Sequence, residues 1–125
     1  MKSEGRLVYF NGEMVPETEA KISIYDSALM FGDMVFEMTR SFNKTQFKLE
    51  EHVARLYSGI KILRIPIDMT QNQLIDACYE TIAANDHLFS EDDEHRLMID
   101  VSRGLLGIYQ NIPGLRNGPN VIIAD

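Results

Sequence analysis

The change of hydrophobic period between residues 34 and 63 constrains this chain more than any other feature. Met34, Phe36, Met38, Arg40 and Phe42 alternate with Val35, Glu37, Thr39 and Ser41, so each set lines one face of a strand. From Leu49 the apolar residues recur at helical spacing: Leu49, Val53, Leu56, Ile60 and Leu63 form one stripe. Asn43-Lys44 marks a turn into Gln46-Phe47-Lys48, which makes a hairpin between strand and helix. Glu50 and Glu51 fall in the first helical turn, where the helix dipole favours negative charge, and Pro66 closes the helix.

The flanking segments repeat these two periods. Asn11-Gly12 separates Leu7-Val8-Tyr9-Phe10 from Met14-Val15, a strong hairpin signal because both turn residues tolerate positive φ. Lys21 to Tyr25 alternates and reads as a short strand; Asp26-Ser27 caps a brief helical turn through Met30. A second helix begins near Thr70, with Thr70-x-x-Gln73 as a capping box and Leu74, Ile75, Cys78 and Ile82 as its buried stripe. Arg96 to Arg103 alternates with Leu97, Ile99 and Val101 on one face, and Val121 to Ala124 reads as a buried strand. Residues 1–6 are predicted to lead straight into the first strand, with no apolar signal-peptide core. The chain stops one residue after an apolar strand, whereas natural ends are usually surface segments. It therefore reads as the first part of a longer protein.

Composition excludes several classes of function. The formal net charge of -7 argues against a nucleic-acid partner and against anionic membranes. The longest apolar runs are a few residues, too short to span a bilayer. One cysteine, Cys78, permits no internal disulfide and favours a cytoplasmic protein. His52, His87 and His95 match no metal-ligand spacing, so no metal site is expected. Cys78 lies on a helical stripe and reads as a structural thiol. No glycine-rich phosphate loop is present. Asp33 and Glu37, four apart along a strand, are too far separated to share a proton.

Two arginines stand out. Arg40 shares a face with apolar residues, and Arg55 borders the helix stripe. An arginine on or beside a buried face needs an anionic partner, because an unpaired buried charge is very costly. Glu37, Glu50 and Glu51 are internal candidates; a ligand phosphate or carboxylate suits the guanidinium fork equally in kind. The residues alone favour the internal pair.

Three blocks carry a family resemblance. Tyr9-Phe10-Asn11-Gly12-Glu13-Met14-Val15, Asp26-x-x-Leu29-Met30-Phe31-Gly32-Asp33-x-Val35-Phe36-Glu37-x-x-Arg40 and Phe47-x-Leu49-x-Glu51-His52-x-x-Arg55-Leu56-x-Ser58 occur in order. Together with Ile65-Pro66 and Val101-Ser102-Arg103-Gly104, they resemble class IV (fold type IV) pyridoxal-phosphate aminotransferases over nearly the whole chain. The resemblance implies an α+β fold, an antiparallel sheet with two main helices packed on it. It implies that residues 1–125 form a single domain, the N-terminal small domain of a two-domain homodimeric enzyme. It implies pyridoxal 5'-phosphate as cofactor and amino acids and 2-oxo acids as substrates. Arg55 matches the arginine that holds the cofactor phosphate, Phe31 and Phe36 match substrate-pocket positions, and Arg40 matches an arginine near the same pocket.

The departures shape the expectation further. Lys2, Lys21, Lys44, Lys48 and Lys61 all lie within the small-domain blocks, and none matches the family's Schiff-base lysine. No catalytic residue is therefore assigned in this chain, which by itself is expected to be inactive. Met98 stands where branched-chain members place an arginine, and residues 105–110 lack the arginine and histidine of D-amino-acid members. Neither carboxylate trap is present, so substrate and stereochemistry stay open. An aminodeoxychorismate-lyase-like enzyme and a non-enzymatic acid-binding or dimerising module are the alternatives. The last strand and the pocket wall are expected to expose apolar surface that a large domain would cover.

Overall fold

In the computed structural model, which describes residues 5–125, six strands form one antiparallel sheet backed by two long helices. The reading of residues 1–4 as a lead-in lies outside the described residues. The strands are β1 (Leu7–Phe10), β2 (Glu13–Pro16), β3 (Met34–Phe42), β4 (Thr45–Gln46), β5 (Arg96–Ser102) and β6 (Asn120–Ala124), in the order β2-β1-β6-β5-β3-β4. The helices are α1 (Ser27–Phe31), α2 (Leu49–Leu63) and α3 (Gln71–Asn85). This is the α+β arrangement expected.

Local chemistry sets most boundaries. The Asn11-Gly12 hairpin joins β1 to β2 with Phe10 opposite Glu13. Asp26 caps α1, its carboxylate accepting from the Ala28 N–H at 2.8 Å. Thr70 and Gln73 form the reciprocal capping box of α3. The segment from Lys21 to Tyr25 is not a strand; its backbone joins no ladder, and Tyr25 instead stacks on Tyr109 at 4.6 Å. Alternation over five residues cannot by itself supply a pairing partner.

The core lies between sheet and helices. Leu49, Val53, Leu56 and Ile60 of α2 and Leu74, Ala77 and Cys78 of α3 pack on Tyr9, Leu97, Ile99, Val101, Val121 and Ile123. Leu63 falls outside this stripe at the end of α2, and Ile65 takes the buried place. β6 sits between β1 and β5, so the last strand offers no open edge.

β3 reverses the usual sense of its alternation. Its polar set, Glu37, Thr39 and Ser41, is buried beneath α2 and the hairpin. Its apolar set faces outward: Phe36 is 62% exposed, Met38 57% and Phe42 52%. Arg40 is thus not on a buried face. The inversion is stable because each buried polar group has a partner. Thr39 Oγ1 donates to Gln46 Oε1 at 2.7 Å, and Ser41 Oγ donates to Glu94 while accepting from the His95 N–H at 2.8 Å. Glu37 is satisfied by α2. Because β4 pairs only with Ser41 and Phe42, the edge of β3 before them carries no neighbouring strand among the described residues.

Candidate functional site

At that open edge the side of β3 meets α2. Met34, Phe36 and Met38 from β3 and Arg55 and Leu56 from α2 line an open groove of about 560 Å³ with Glu37 at its floor. α2 reaches β3 closely because position 59 is glycine; a Cβ there would lie 2.8 Å from Val35 Cγ1. This approach brings Arg55, one turn before Gly59, within reach of Glu37.

The Glu37 carboxylate is 6% exposed and accepts three charge-assisted or polar hydrogen bonds. Arg55 Nε donates to Oε2 at 2.6 Å, Arg55 Nη2 donates to Oε1 at 2.8 Å, and His52 Nδ1 lies 2.7 Å from Oε1. The bond from Arg55 is the main reason that the Glu37 pKa is lowered, with His52 adding to it against the cost of burial. The same pair raises the Arg55 pKa. An internal pair is one of the two readings open for Arg55, and the structure realises it. It does not exhaust the guanidinium. Two of the five N–H bonds of an arginine go to Glu37; the Nη1/Nη2 edge has no protein acceptor among the described residues. Arg55 is 74% exposed, so that edge faces the groove and solvent.

Phe36 joins Arg55 in the groove, whereas Phe31 and Arg40 do not line it. Phe31 ends α1 with its ring exposed. Arg40 donates from Nε to the Ser41 carbonyl at 3.0 Å and lies over the Phe42 ring at 4.1 Å. Glu50 and Glu51, the other internal candidates, stay exposed in the first turn of α2. Asp33 and Glu37 are separately engaged, Asp33 by Arg103 Nε at 2.5 Å. Each of the two carboxylates thus has its own arginine partner.

Two features have no signature in the sequence. Arg96 pairs across the sheet with Arg40, so two like charges oppose each other on the outer face. Only strand register reveals this, since the two lie on strands far apart along the chain. Phe36 pairs with Asp100 in the same ladder, which puts Arg96 about 13 Å further along β5. Burial raises the Asp100 pKa. His95 is the second feature. It is buried between Asp125, whose Oδ2 lies 2.6 Å from Nδ1, and Asp86, whose Oδ1 lies 2.9 Å from Nε2. No group of three side chains able to hold a metal ion occurs among the described residues. Cys78 is buried, and desolvation pushes its thiol up to about 12, as suits a structural residue.

Known proteins share both the sequence pattern and the fold. Residues 34–124 match the family model of amino-transferase class IV. A Methanocaldococcus jannaschii protein named as a branched-chain-amino-acid aminotransferase is 39% identical over 101 residues, 81% of this chain and 34% of that protein. The D-alanine aminotransferase of Bacillus licheniformis is 31% identical over 97 residues, 78% of this chain and 32% of that protein. Among solved structures, a branched-chain amino acid aminotransferase from Escherichia coli aligns with a TM-score of 0.79 at 30% identity. That alignment covers 96% of this chain and 39% of the other. The chain thus spans about a third of the length of its relatives.

Proposed function

The chain belongs to the class IV aminotransferase family, and on that premise we propose that residues 1–125 are the small domain of a pyridoxal-phosphate enzyme. In this reading the whole protein moves an amino group between an amino acid and a 2-oxo acid. It works as a cytoplasmic homodimer, and a second domain supplies the lysine that anchors the cofactor. The shared third of the relatives' length supports the division into domains. The exposed apolar face of β3 supports it independently, since Phe36, Met38 and Phe42 are a surface made to be covered. No helix among the described residues is long and apolar enough to cross a membrane.

The observation that carries the reading is the free edge of Arg55. A phosphate fits it: the guanidinium is fixed by a buried carboxylate, the Nη1/Nη2 edge is open, and both Glu37 oxygens are turned to their own partners. Arg55 would hold the cofactor phosphate. Pyridoxal phosphate, when bound, supplies the electron sink for reaction at the substrate α-carbon. The chain's own part is to bind and to shape. Phe36 would wall the substrate side and exclude water, while Phe31 and Arg40, which stand outside the groove, are assigned to the substrate side by the family resemblance alone. None of the lysines in these residues is assigned a catalytic part.

The test uses the whole protein. Loaded with pyridoxal phosphate, it is expected to transfer the amino group of L-leucine or D-alanine to 2-oxoglutarate, and Arg55→Ala to lose cofactor on dialysis. Failure to bind pyridoxal phosphate, or binding unaffected by Arg55→Ala, would overturn the assignment.

A further inference from the structure

Glu37 presents an apparent contradiction. It places a negative charge at the floor of a groove whose proposed ligand group is a phosphate dianion. Coulomb's law alone makes that unfavourable: removing the charge should tighten anion binding several-fold. A groove selected only for its field would not keep a carboxylate there.

Geometry offers a reason to keep it. Arg55 springs from an exposed position of α2, and an exposed arginine samples many rotamers. The Glu37 carboxylate meets Nε and Nη2 in parallel, at 2.6 and 2.8 Å, and so fixes the plane of the guanidinium as well as its position. Glu37 is itself fixed: it is buried, it sits mid-strand, and His52 Nδ1 holds Oε1 from α2. The chain Glu37–Arg55 therefore begins in the rigid sheet and ends at an N–H edge aimed into the groove. The sheet, rather than the flexible side chain, sets where an anion must sit.

We infer that Glu37 is a positioning residue for phosphate recognition: it orders the Arg55 guanidinium, and that ordering outweighs the repulsion its charge exerts on the anion. The inference rests on the assignment of Arg55 to the cofactor phosphate. His52 serves the same end at one remove, by holding the carboxylate that holds the arginine.

The two effects differ in sign, which makes the test sharp. Pyridoxamine 5'-phosphate, which carries the phosphate without an aldehyde, is titrated into the whole protein and followed by phosphorus NMR. Ordering one arginine is worth about 2- to 10-fold in affinity. Glu37→Gln, which removes the charge, is expected to bind about 2- to 10-fold more weakly. Glu37→Asp, which keeps the charge but shortens the reach, is expected to weaken binding too and carries the test if Glu37→Gln does not fold. The Arg55 Nε–H resonance is expected to be protected from exchange in the parent protein and to lose protection in both variants. Tighter binding by Glu37→Gln with unchanged binding by Glu37→Asp would reduce Glu37 to a repelling charge and overturn the inference, while leaving Arg55 as the phosphate ligand. Equal binding by the parent and Arg55→Ala would instead remove the assignment of Arg55, and the inference with it.

Discussion

Gly59→Ala should change sign with its background. In the middle of α2, alanine is favoured over glycine by about 1 kcal/mol through helix propensity alone. Here the added Cβ would lie 2.8 Å from Val35 Cγ1 and 3.5 Å from Val35 Cβ. Ordinary contact between carbons needs about 3.5 Å, so roughly 0.7 Å must be found. Val35 cannot yield it cheaply, because a β-branched residue is stiff at χ1. α2 must then lift from β3, at an overpacking cost of about 1–3 kcal/mol. Against the propensity gain, Gly59→Ala should destabilise by about 1 kcal/mol in urea denaturation. In a Val35→Ala background the obstructing methyl is gone, and the same change should stabilise by about 1 kcal/mol. The lift would also act on the site. Adding roughly 0.7 Å to the 2.8 Å contact of Arg55 Nη2 with Glu37 takes it to the limit of a hydrogen bond. Gly59→Ala should therefore weaken phosphate binding as well. Equal stabilisation by Gly59→Ala in both backgrounds would refute the claim that close approach of α2 is what position 59 provides.

Other outcomes follow from the same contacts. Glu94 accepts from Ser41 Oγ and from the N–H groups of Lys44 and Asn43, and its pKa is lowered to about 2. A carboxyl whose folded pKa is lowered adds stability above its ordinary value of 4.5, and that stability is lost as pH falls towards 2. Glu94→Gln should thus lower the urea midpoint at neutral pH, and the difference from the parent should vanish as pH approaches about 2. Cys78 should resist thiol reagents at mildly alkaline pH in the native protein and react only as the chain unfolds, as time courses in increasing urea would reveal. Gly104 has φ +85°, and a Cβ there would meet the Gly118 carbonyl oxygen. Gly104→Ala should cost roughly 3 kcal/mol and free the segment from 105 to 119, read by calorimetry and by proteolysis in that loop.

Much of the fold is legible in the sequence because it depends on local rules. The bounds of α2, the Thr70 box and the Asn11-Gly12 turn follow from short-range chemistry, and the structure places each of them as expected. The segment from Lys21 to Tyr25 misleads because a strand needs a neighbour, which no local pattern supplies. His95 gives no sign in the sequence because its partners, Asp86 and Asp125, meet it only after the sheet has formed.

The sequence alone determined which residues of β3 share a face and which residues of α2 share a stripe, since those follow from a period of two and of 3.6. The resemblance of three blocks also pointed to Arg55, Phe31, Phe36 and Arg40 as candidate site residues, of which the groove brings together Arg55 and Phe36. The tertiary structure decided which face of β3 is inside. Apolarity would have turned Phe36 and Met38 inward, but α2 covers Glu37 instead, and Arg55 and His52 make that burial tolerable. It likewise realised one of the two readings the sequence left open for Arg55, the internal pair. Spacing could only set an internal partner against a ligand. With Glu37 on one edge of the guanidinium, the other edge has no protein acceptor among the described residues.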